Sequence, residues 1–115
     1  MTPQDLLLRA ATLIERQGHM PGPLAHGWDK QPCDPHSPVA YYFTACGAIQ
    51  RARQPDGWVD TLNAEGMPQA RPWMRETKVA MIEAVGRLGP LATFIEWEAT
   101  ASQADVVAKL REVAT

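Results

Sequence analysis

The stretch Ser37–Arg53, SPVAYYFTACGAIQRAR, decides how the rest of the chain is read, because it carries almost no polar face. Val39, Tyr42, Phe43, Cys46 and Ile49 recur at steps of three and four, which gathers them into one apolar stripe at 3.6 residues per turn. Ala40, Thr44, Ala48 and Ala52 recur every fourth residue, a row of small side chains that admits a second backbone at short range. Ser37 reads as an N-cap and Pro38 as a first-turn residue. The expectation is a buried central helix over 37–53. Gly47 in its middle costs about 1 kcal/mol relative to alanine, so something is expected to press against the backbone there.

Outward from this segment the chain reads as helices. Thr2, Pro3 and Asp5 form a capped, proline-led start to a helix running to about Gln17, with Gly18 just past its end. Its inner stripe is Leu6, Ala10, Leu13 and Ile14, widened by Leu7 and Ala11. Met74, Met81, Ile82, Val85 and Leu88 predict a further helix from Trp73 onward. Gly89-Pro90 stops it, and a shorter one with Leu91, Phe94 and Ile95 on one face leads to Trp97. Ser102 with Asp105 caps the last helix, whose inner residues are Val106, Leu110 and Val113. The predicted fold is all-α or mainly α: one domain over 1–115 with about five helices. WVDTLNA and its flanking turns leave room for a short strand pair near 57–66.

Between Gly18 and His36 the periodicity vanishes. GHMPGPLAHGWDKQPCDPH holds four of the ten prolines, three of the eight glycines and all three histidines, which predicts a long irregular loop of the sort that carries function. His19, His26, Cys33 and His36 are ligands of the type zinc accepts, but only the last two are closely spaced, so zinc is the weaker alternative and no cofactor is the expectation. Cys33, Asp34 and His36 are the residue types of a nucleophilic site, yet neighbours on a loop seldom converge on one centre. Cys46 reads as a small core residue. No phosphate-cradling glycine loop, nucleophile elbow or H-E-x-x-H pair is present.

Net charge is −2 over 115 residues, with 45% apolar and 21% charged side chains. That balance disfavours a polyanionic partner, and the nucleic-acid alternative rests only on Arg51, Arg53, Arg71 and Arg75. No apolar run is long enough for a bilayer, and Asp5 and Glu15 interrupt the N-terminal stretch, so no membrane association and a cytoplasmic location are expected. Two cysteines outside any framework of spaced pairs are expected to be reduced thiols. Four tryptophans are many for this length. Tryptophan buries a large area at small entropic cost, so Trp28, Asp29, Trp58, Trp97 and Glu98 are the candidate contacts for a protein partner.

Three stretches, LLLRAATLIERQG, SPVAYYFTACGAIQRA and FIEWEATASQADVVAKLREVA, together resemble a family of small bacterial and phage proteins classed only as a domain of unknown function. Phe43, Gly47 and Ala48 match an aromatic-led Gly-Ala motif of its middle helix, with Thr44 where the family has cysteine. Trp97 matches its tryptophan before a capped last helix, with Glu98 and Ala99 in place of Asn-Asp. The resemblance implies a helical fold and no particular reaction. The functional expectation is a protein-binding domain, an accessory or inhibitory factor of a phage or mobile element; the alternative is a hydrolase or metal-dependent enzyme centred on 19–36.

Overall fold

The computed structural model describes residues 1–62, 64–67 and 69–115. Among them run α1 (Pro3–Arg16), β1 (Ala25–Gly27), β2 (Pro32–Cys33), β3 (Ala40–Phe43), α2 (Ala45–Ala52), α3 (Pro72–Glu76), α4 (Lys78–Gly86), α5 (Leu91–Glu98) and α6 (Gln103–Ala114). The chain is mainly helical but not all-α. Among the described residues no helix is long and apolar enough to cross a membrane.

The central stretch is not one helix. Its first part is β3 and its second is α2, and the cap between them is Thr44, whose hydroxyl accepts a bond from the Gly47 N–H at 3.0 Å. Ser37 and Pro38 therefore start no helix. Tyr41, Tyr42 and Phe43 suit a pleated strand once a partner is at hand, and β1 is that partner. The strand order is β2-β1-β3, antiparallel throughout, with Ala25 opposite both Cys33 and Phe43 and a register shift between His26 and Gly27. Five residues of the expected loop, 25–27 and 32–33, are thus sheet. Near 57–66, where a strand pair was expected, the described residues show a bridge at Leu62 and a bond from Gln69 N–H to Thr61 O at 3.0 Å; Asn63 of that segment lies outside the described residues.

The burial expected of the central stretch survives in part: Phe43 and Ile49 are internal and Tyr42 and Cys46 partly so, whereas Val39 at the start of the expected stripe is 55% exposed. Phe43, Ala48 and Ile49 are fully buried, and so are Leu6, Leu7 and Ile14 of α1 and Val106 and Leu110 of α6. The small-residue row Ala40, Thr44, Ala48, Ala52 is buried too, although its first member lies on the strand. α1 is the hub, packed on α6, α2 and α4, and both of its expected cap bonds form: Asp5 N–H to Thr2 Oγ1 at 3.1 Å and Thr2 N–H to Asp5 Oδ2 at 3.0 Å.

The helix expected from Trp73 breaks at Thr77 into α3 and α4. The Thr77 hydroxyl donates to Trp73 O at 2.5 Å and accepts from Arg53 Nε at 2.9 Å. The inner face of α4 is Ala80 and Ala84, leading on to Leu88, with Ile82 turned outward and 55% exposed. Helix α5 turns only Phe94 and Glu98 inward.

Candidate functional site

The histidines and Cys33 go to separate places. In the β1-β2 ladder Ala25 faces Cys33 and His26 faces Pro32. Cross-strand partners share a face and successive residues alternate, so Cys33 and the His26 ring project from opposite sides of the sheet. His26 is buried, with no hydrogen-bond partner for its Nδ1 among the described residues. His36 lies 3.2 Å through Nδ1 from Gln54 Oε1 and meets the Trp73 ring edge-on at 5.0 Å. Burial holds its imidazole below the ordinary value, against the opposing pull of Gln54 and Asp34. Among the described residues no three His, Cys, Asp or Glu side chains are grouped to hold a metal ion, so the zinc set is not assembled.

His19 instead finds Glu98. Its Nε2 lies 3.0 Å from Glu98 Oε2, and both side chains are about 95% buried. The same carboxylate oxygen accepts the Ala45 N–H at 2.6 Å, an unpaired donor of the first turn of α2, where negative charge is favoured. The His19 N–H donates to Gln103 Oε1 at 3.2 Å. Glu98 therefore ties the end of α5 to the start of α2 and to the segment after α1. Its expected place on a partner surface is corrected: it is internal and occupied. The neighbouring Cys46 thiol, in the first turn of a helix where thiols are commonly acidified, is pushed up to about 11 by burial and then by the Glu98 charge. A thiol so held is a poor nucleophile at neutral pH. Cys33, also free, is raised by burial and by Asp29 and Asp34.

Of the arginines considered for a polyanion, Arg53 is buried and Arg51 is half-buried and tethered to backbone. Arg51 Nη1 donates to Pro35 O at 2.9 Å and Ser37 O at 2.8 Å, which fastens the β2-β3 connection to α2. Arg53 is buried and donates to Thr77, to Gln50 Oε1 at 2.7 Å and to Met74 O at 2.6 Å. Arg71 is paired with Asp60 and lies 6.0 Å over the Trp73 ring.

The candidate tryptophans are likewise dispersed. Trp58 is half-buried, its Nε1–H on Asp60 Oδ1 at 2.8 Å and its ring edge-on to Trp73 at 5.9 Å. Trp97 is 39% exposed, with the buried Phe94 ring 5.4 Å away. Trp28 is different. It sits at the tip of the β1-β2 hairpin, 69% exposed, and stacks on Tyr41 with centroids 4.1 Å apart and planes 28° from parallel.

The tip is built by turn chemistry. Lys30 N–H donates to Gly27 O and Gly27 N–H to Gln31 O, both at 2.9 Å, and Lys30 takes the left-handed conformation at φ 64°, the pattern of a three-residue loop closing on a bulge. Asp29 Oδ1 accepts the Gln31 N–H at 3.1 Å, so Asp29 shapes the turn that presents the tryptophan. Tyr41 meets Tyr42 edge-on at 4.9 Å, and Val39 beside it is exposed. Tyr41 was invisible as a site residue while its segment read as helix. On a strand paired with β1 it backs the hairpin tip, and only knowledge of that pairing would have singled it out.

The full chain, residues 1–115, matches the model of a family described as a family of unknown function (DUF6197), and it belongs to that family. Comparison with curated proteins and with solved structures returns no match.

Proposed function

We propose that this member of a family without an assigned activity works by binding another protein through the tip of the β1-β2 hairpin. The observation that carries the reading is the Trp28-Tyr41 stack: a large apolar ring held outside the core, mostly in solvent, on a turn fixed by three hydrogen bonds. A ring already seated on its neighbour loses little freedom on docking, and tryptophan and tyrosine dominate interface energetics for that reason. Val39 extends the apolar surface beside the stack. Such a domain acts as an accessory or inhibitory factor by occupying a surface of its target.

The test is affinity capture from the source cells with the natural chain and with Trp28→Ala in parallel. The expected result is one stoichiometric partner, whose affinity for the purified variant falls by a factor of roughly 30 or more, the scale of a central interface tryptophan. The melting temperature should stay unchanged, because the Trp28 side chain is outside the core. Undiminished capture by the variant, or no stoichiometric partner at all, would count against the proposal.

A further inference from the structure

A groove of about 520 Å³ runs between the outer face of α1 and the end of α2, its lining including Leu8, Leu13 and Ala52, with Arg9, Arg16, Arg51 and Asp56. Arg9 is neutralised by Asp56 at 2.9 Å. Among the described residues neither Arg16 nor Arg51 has a carboxylate within ion-pair distance; the nearest acid in sequence, Glu15, is engaged by Arg111 at 3.0 Å. Arg51 is held in place through Nη1 alone, by the carbonyls of residues 35 and 37. A basic side chain in the last turn of a helix needs no ligand to account for it. The helix dipole does not account for two arginines without a carboxylate partner among the described residues lining one groove together with Leu8 and Leu13. At Leu8 and Arg9 the groove continues into a second hollow that ends at Met1 and Asp5.

We infer that this groove binds a small amphipathic anion, with a phosphate or carboxylate head on Arg16 and Arg51 and an apolar tail lying over Leu13 and Leu8 toward Met1. The planar guanidinium fork suits such oxyanions, and the volume is that of a small-molecule site. The site shares no residue with the hairpin tip, so either reading stands or falls alone.

Isothermal titration calorimetry with octyl phosphate below its micellar concentration tests this, with inorganic phosphate and octanol as head-only and tail-only controls. Saturable one-to-one binding is expected, about tenfold or more tighter than either control. Arg16→Glu and, separately, Leu8→Gln should each weaken it about tenfold. Both side chains are exposed, so the fold is retained, as an unchanged melting temperature would verify. Equal affinity for octanol, or full binding by Arg16→Glu, overturns the inference. So does co-sedimentation with vesicles of phosphatidylglycerol when octyl phosphate does not bind, which would make the arginines a membrane contact.

Discussion

Replacing Gly47 by alanine should destabilise the protein, although local helix energetics point the other way. In an exposed helix the exchange gains about 1 kcal/mol. Here the added methyl carbon would stand 1.8 Å from the Leu24 carbonyl oxygen and 2.6 Å from its carbon. The obstruction is backbone, and it is held. Leu24 O accepts the Thr44 N–H at 3.2 Å and the Thr44 hydroxyl at 3.4 Å, and the next residue, Ala25, is locked between Cys33 and Phe43 in the sheet. Relief requires pushing the start of β1 off the first turn of α2. Overpacking of this kind costs about 1–3 kcal/mol, and loss of the bonds to Leu24 O adds about 1 kcal/mol each. After subtracting the propensity gain, Gly47→Ala should cost about 2–4 kcal/mol, a large fraction of a typical domain's stability. Urea denaturation should show a midpoint lowered by about 1 M or more. Gly86→Ala is the internal control: Gly86 ends α4 with nothing within 4 Å of the added carbon, so it should be neutral or stabilising by up to about 1 kcal/mol. If Gly47→Ala proved as stable as the natural chain, the close approach of the Leu24 carbonyl would be refuted.

Three further outcomes follow from the buried polar groups. Glu98→Ala strands the His19 ring and the Ala45 N–H in the interior and should cost about 3 kcal/mol in urea denaturation, within the range for breaking a buried pair; a cost below about 1 kcal/mol would mean that water replaces the carboxylate. The two thiols should label unequally. Cys46, pushed up to about 11, holds on the order of one part in a thousand as thiolate at pH 8, so iodoacetamide should modify Cys33 first, and faster labelling of Cys46 would contradict its placement. For His36, burial depresses the folded value below the ordinary 6.5. The unfolded chain then binds the proton more readily than the folded one, and stability contributed by neutral His36 is present above about pH 6.5 and lost as pH falls through the lower folded value. His36→Gln should flatten the pH dependence of stability in that window, and an unaltered slope would assign it to other groups.

Local signals were legible and held. The Thr2-Asp5 box, the Ser102 cap and the inner faces of α1 and α6 each depend on residues within a turn or two, so their hydrogen bonds form between groups the chain already keeps together. Gly47 announced a crowded backbone in the same way. What crowds it could not be read, because Leu24 lies in a stretch of prolines and glycines with no periodicity. The segment from Val39 to Ile49 misled for a related reason: a strand of four residues is too short to show alternation, and its side chains also satisfy helical spacing.

That Ala40–Phe43 is strand follows from its pairing with β1, a non-local interaction that local propensity does not encode. The site residues divide along the same line. Trp28 was marked by its chemistry, whereas its stacking partner Tyr41, the burial of Glu98 against His19 79 residues away in sequence, the burial of Arg53 and the tethering of Arg51 to the β2-β3 connection emerge only from the folded chain. Composition and short-range pattern determined the helical character of α1, α5 and α6 and most of their inner residues. The three-dimensional fold alone decided which polar groups meet, because their bonds join distant segments and close only after the core has brought those segments together.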